Sequence, residues 1–149
     1  MANKYVTEEA RKQIGKMGEA RTLDVERGAI RRFAEAIGDD NPVFNNEREA
    51  RKTRFGSMIA SPTFCRSLSA PIVDVQLNMQ SFRGLDGGSD WEYFEPIRPG
   101  DRITVQTKIA DLRESEGRLG PMVFITTETT YTNQFGQVCA IQRATGIRY

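Results

Sequence analysis

The spacing of apolar residues changes once along the chain, near residue 91, from a helical period to a period of two. Before that point Ala29, Ile30, Phe33, Ala34 and Ile37 fall on one helix face, with Arg31, Arg32 and Glu35 opposite and Gly38 as the stop. Residues 7–18 predict a shorter helix, with Thr7 as N-cap, Glu8 and Glu9 in the first turn and cations before a terminal glycine. Its apolar face (Ala10, Ile14, Met17) is narrow, which suits a helix lying across a sheet or on a partner. Residues 21–25 alternate briefly, as an edge strand or an extended lead-in, and residues 45–54 read as a short surface helix. Ser61 suits an N-cap, Pro62 a first helical position and Pro71 a stop. Between them a buried helix of about two to three turns is expected. Residues 72–79 fit either helix or strand, and the glycines of residues 84–90 predict a turn cluster forming a flexible loop.

After residue 91 strands are predicted over 91–97, 102–116, 122–132 and 137–149, separated by turn chemistry at 98–101, 117–120 and 133–136. Pro96 holds the first of these at or near an edge. Helices first and an antiparallel meander after, without βαβ alternation, make the chain α+β. The 62–71 segment is apolar nearly all round, so it is expected at the centre, with the twisted sheet curled about it.

Composition narrows the function. A chain of 149 residues supports one domain over 1–149. Twenty-one Lys and Arg against 20 Asp and Glu leave a net charge of +1, with no basic stripe for nucleic acid and no polybasic tail for a membrane surface. No apolar run approaches the ~20 residues of a spanning helix, and the first residues lack a signal-peptide core, so a cytoplasmic protein is expected. Cys65 and Cys139 sit in no Cys-x-x-Cys arrangement and read as packed, reduced thiols. The chain has no histidine, and neither a zinc site nor a cofactor is expected.

The stretch from Phe33 to Phe44 ends in Gly38-Asp39-Asp40-Asn41-Pro42-Val43-Phe44, an acidic, proline-locked loop directly after the helix stop. On their own terms Asp39 and Asn41 read as side chains that satisfy turn backbone, and Phe44 as packing. The loop resembles that of the R-specific enoyl-CoA hydratases, MaoC-like hot-dog proteins whose pattern is Gly-Asp-x-Asn-Pro, an aliphatic residue, then His. Asp39 falls on the catalytic aspartate and Phe44 on the catalytic histidine. Residues 91–101 resemble the strand-and-turn phrase of MaoC-like dehydratase domains, and residues 131–138 their final hairpin. In particular the chain is similar to the N-terminal, dehydratase-like half of double hot-dog hydratases, in which a degenerate half pairs with a half bearing the Asp and His.

The resemblance implies a hot-dog fold and water addition to a 2-enoyl thioester. That reaction needs a base for water and a donor that holds the thioester carbonyl as enolate charge develops. Asp39 would orient or deprotonate water and Asn41 would shape the loop, while Phe44 would cover it with an apolar ring. The carbonyl-holding N–H at the start of the central helix maps to Ser61, Pro62 and Thr63, and proline has no N–H to give. Trp91, Tyr93 and Phe94 are expected in the core and at a dimer edge; the alternative is that one of them lines an acyl channel. Arg98, Arg102 and Lys108 are solvated, or face the phosphates of CoA. Hot-dog thioesterases place a carboxylate on or beside the central helix, and residues 63–70 carry none. The leading expectation is a subunit of a heteromeric enoyl-CoA hydratase or dehydratase. It would bind an acyl-CoA thioester while a homologous MaoC-like partner supplies Asp and His, and would be inactive alone. The alternatives are a non-catalytic acyl-thioester-binding scaffold and a self-dimer that is a weak hydratase through Asp39 alone.

Overall fold

The structure is a computed structural model that describes residues 4–80, 83–118 and 120–149. Its five strands are β1 (Arg21–Asp24), β2 (Gly84–Tyr93), β3 (Arg102–Gly117), β4 (Gly120–Thr132) and β5 (Val138–Arg148). They form one antiparallel sheet in the order β1-β3-β4-β5-β2. The helices are α1 (Glu8–Lys12), α2 (Arg27–Ala36) and α3 (Glu47–Ala50), with 3₁₀ segments at Pro42–Phe44 and Pro62–Ser67.

Period-two alternation sends one set of side chains inward, and register stacks them in rows across the sheet. Val105 pairs with Tyr131, Tyr131 with Ala140 and Ala140 with Tyr93. The first three are fully or nearly buried and join Ile30 and Ala34 of α2 in the larger core cluster. Burying a side chain the size of Ile30 contributes about 1.5–3 kcal/mol. The next row, Thr107, Thr129, Gln142 and Trp91, is largely polar. Beyond it Ile109, Leu112 and Val123 pack against Val6 and Ala10 in a second cluster. The inner face is thus two apolar patches with a polar row between them.

Four expectations are corrected. The 62–71 segment is a 3₁₀ turn, Pro62–Ser67, with Phe64 and Cys65 buried but Pro62, Thr63, Arg66 and Ser67 exposed. The Ser67 hydroxyl donates to the Phe64 carbonyl at 2.7 Å, closing the last turn with a side chain in place of backbone. The long helix on the sheet is therefore α2, whose Phe33 meets Phe64 edge-on with ring centroids 5.6 Å apart.

The helix over 7–18 stops at Lys12, because β1 covers only part of β3's edge. The open edge draws in the following chain: Gly15 donates to the Ile109 carbonyl and Gly18 to the Thr107 carbonyl, both at 2.8 Å. Residues 72–79 are neither helix nor strand, although they alternate between exposed and part-buried side chains as they run past the second cluster.

Residues 84–90 are strand and not a loop. A bulge between Asp86 and Ser89 absorbs the extra residue, and Asp86 Oδ1 accepts the Gly88 N–H at 2.8 Å. A Cβ on Gly87 would lie 2.8 Å from the Thr145 carbonyl oxygen, so the glycine there permits close strand approach.

Candidate functional site

Helix α2 ends into Gly38, whose φ of +70° turns the chain, and the Asp39 N–H returns to the Ala34 carbonyl at 2.9 Å. Asp39 Oδ1 then accepts the Asn41 N–H at 3.0 Å, and Asn41 Oδ1 caps the 3₁₀ segment through the Val43 N–H at 3.1 Å. Ile59 donates to the Val43 carbonyl at 3.1 Å, and Ala60 to the Ile97 carbonyl at 2.8 Å. These bonds hold the loop, the 59–61 segment and the chain after β2 together.

A cleft of about 440 Å³ lies where they meet, with Asn41, Phe44, Ser61, Pro62, Cys65 and Tyr93 among its walls. Larger hollows of about 710 and 640 Å³ lie elsewhere on the molecule and contain no residue of the 38–44 loop. The cleft is mostly apolar, and Phe44 is 8% exposed within it. Ser61 is 4% exposed, and its Oγ has no hydrogen-bond partner among the described residues. That leaves a buried, unpartnered hydroxyl on a residue of the cleft wall, beside a proline that offers no N–H.

The residues singled out in the sequence separate here. Asn41, Phe44, Ser61 and Pro62 line the cleft. Asp39 does not line it, because its carboxylate is turned to the loop's own backbone. Thr63 is exposed outside it. Trp91 stands one row further along the sheet, stacked on Tyr93 at 5.9 Å and tilted against Tyr131 at 5.7 Å. It is a second tier behind the cleft. Arg98 is anchored to the Phe55 carbonyl at 2.7 Å and to Ser57 Oγ, while Lys108 pairs with Glu128 at 3.1 Å on the outer face.

Cys65 and Cys139 are free, buried, and both at the cleft wall. Burial, with Cys139 as neighbour, pushes the Cys65 thiol up to about 12, and burial pushes Cys139 up to about 11. At neutral pH both are thiols and neither is a nucleophile. The approach of residues 65, 93 and 139 had no local signal, because it depends on strand register. Among the described residues no group of three or more His, Cys, Asp and Glu converges as a metal site, and no helix is long and apolar enough to cross a membrane.

Comparison with known proteins fits this geometry. The model of the FAS1-like, dehydratase domain region matches residues 12–142, and the chain belongs to that family. A UPF0336 protein of Streptomyces avermitilis is 34% identical over 99 residues, covering 63% of this chain and 66% of its own length. A probable enoyl-CoA hydratase alpha subunit of Thermomonospora curvata is 30% identical, covering 80% of this chain and 43% of its own. The chain therefore spans less than two thirds of these relatives. Among solved structures, the MaoC-like dehydratase of Rhodospirillum rubrum superposes with a TM-score of 0.73 at 25% identity, covering 91% of this chain and 92% of that one. The HadBC (3R-hydroxyacyl-ACP dehydratase) complex of Mycobacterium tuberculosis gives 0.73 at 21%, covering 91% and 96%. The MaoC-like resemblance and the α+β hot-dog fold expected from the sequence are both met.

Proposed function

We propose that this chain is the acyl-thioester-binding half of a heteromeric enoyl-CoA hydratase or dehydratase, with a homologous hot-dog partner supplying the aspartate and histidine for reversible water addition. The observation that carries the reading is Phe44, an apolar ring at the wall of a well-formed cleft where the family places its imidazole. Apolar walls exclude bulk water from the thioester and strengthen any hydrogen bond made there. In this reading the Ser61 hydroxyl, which has no partner among the described residues, would hold the thioester carbonyl, in the role that Pro62 cannot fill through its backbone. The HadBC complex and the alpha-subunit relative support assembly with a partner of the same kind. A self-dimer working through Asp39 alone is disfavoured, because that carboxylate is engaged by the Asn41 N–H and lies off the cleft.

The test mixes the purified chain with a hot-dog subunit that carries the Gly-Asp-x-Asn-Pro-aliphatic-His loop and follows crotonyl-CoA hydration. Negligible turnover alone and turnover in the mixture, lost when the partner's histidine is changed to alanine, are expected. Ordinary enzyme rates from the chain alone would overturn the proposal in favour of the self-dimer. Acyl-CoA binding with no turnover in the mixture would leave the non-catalytic scaffold.

A further inference from the structure

Gln142 is out of character for its place. It points to the core face of β5, is 7% exposed, and its Nε2 finds no partner among the described residues. Its cross-strand neighbour Thr129 is 9% exposed, and Thr129 Oγ1 lies 2.7 Å from Thr107 Oγ1 on the next strand. One proton lies between those two oxygens, so the other hydroxyl proton of the pair is a spare donor. A buried amide donor without an acceptor is destabilising, and such groups are kept where something meets them.

A hollow of about 260 Å³ opens against this row. Gln142, Thr129, Thr107 and Tyr131 form its sheet wall, and the 68–73 segment, with Leu68, Ala70 and Val73, forms the wall opposite. The hollow and the cleft are lined by residues that neighbour one another along the chain. Cys65 lines the cleft and Arg66, the next residue, lines the hollow; Ala140 lines the cleft and Gln142, two residues on, lines the hollow. Two strand residues span roughly 7 Å. A chain lying in the cleft with its head at Ser61 would therefore bring its tail past Tyr131 to the amide of Gln142.

We infer that the Thr107–Thr129–Gln142 row is a subsite for a neutral oxygen, a hydroxyl or keto group, carried on the tail of the acyl chain. It rests on the reading of the cleft as an acyl-thioester site. The sheet wall carries two threonine hydroxyls and an amide and no charge, and the facing wall is largely apolar, which suits a hydrocarbon chain with one oxygen. The single cation, Arg66, is exposed at the rim, where it would serve a terminal carboxylate without using Gln142.

The experiment titrates the full chain by calorimetry with saturated acyl-CoAs of graded length, each in plain, ω-hydroxy and ω-carboxy form. At one length the ω-hydroxy form is expected to bind about 3- to 10-fold tighter than the plain one, the range one neutral hydrogen bond supplies. Gln142→Met and Thr129→Val, each checked for folding by circular dichroism, should both reduce that preference, read as the ratio of ω-hydroxy to plain affinity within each variant. No preference at any length, a preference that survives in both variants, or a larger gain for the ω-carboxy form would overturn the subsite. Absence of binding by every acyl-CoA, plain ones included, would instead remove the acyl-thioester reading itself and the subsite with it.

Discussion

Asp39 Oδ1 accepts the backbone N–H of Asn41 at 3.0 Å, so the carboxylate that the loop's resemblance aligns with a catalytic aspartate acts here as a turn-former. An acceptor is what the turn requires, and an amide oxygen provides one as well as a carboxylate. Asp39→Asn is therefore expected to leave urea-unfolding stability nearly unchanged, whereas Asp39→Ala should cost about 1 kcal/mol. Equal losses in the two variants would contradict the turn-forming role.

The same relationship governs what a restored imidazole can do. Phe44→His places a general base at the cleft wall, a group worth about 100- to 10,000-fold where its partners are in place. With Asp39 turned to its own loop and off the cleft, the variant chain alone is expected to stay inactive toward crotonyl-CoA. Turnover at ordinary enzyme rates would show that Asp39 reaches the substrate.

Ser61 separates binding from folding. Its Oγ has no partner among the described residues, so removing it breaks no hydrogen bond seen there. Ser61→Ala should keep or slightly raise the melting temperature, while hydration by the proposed heteromeric complex falls about 100- to 1,000-fold, as for loss of one oxyanion donor. A variant that unfolds early with unchanged activity would make the hydroxyl structural.

Gly87→Ala tests the bulge. The added Cβ would stand 2.8 Å from the Thr145 carbonyl oxygen, a backbone atom that cannot swing aside. Overpacking of this kind costs about 1–3 kcal/mol. Thermal unfolding should show the loss, with Gly146→Ala, whose Cβ meets nothing within 4 Å, as the milder comparison.

Glu114 gives a pH signature. Burial pushes its carboxyl up, but the N–H groups of Val6, Tyr5 and Lys4, all donating to it, outweigh that and leave it below the usual 4.5. A carboxylate depressed in the folded state contributes stability that is present above its unfolded value and lost as pH falls through the folded one. The melting temperature of the parent should therefore drop as pH falls below about 4.5, and Glu114→Gln should flatten that part of the profile. Parallel profiles would show that the N-terminal chain is not anchored there.

The sequence by itself determined the features that depend on near neighbours. The spacing of Ile30, Phe33, Ala34 and Ile37 and the glycine after them produced α2 and its stop. The alternation through Ile103, Val105 and Ile109 produced β3, because helical and strand periods are local properties. The missing imidazole is equally plain, since histidine is absent from the composition and Phe44 follows Asn41-Pro42-Val43. Tertiary structure decided what depends on partners distant in the chain. Residues 84–90 became a strand because β5 offered an edge and Gly87 let the backbones close. Residues 14–18 left their helix because β3 had unpaired carbonyls. Asp39 and Phe44 share one loop, yet only Phe44 reaches the cleft, because the N–H of Asn41 takes the carboxylate. The polar row of Thr107, Thr129 and Gln142 exists only in the register of three strands, which no stretch of the sequence contains by itself.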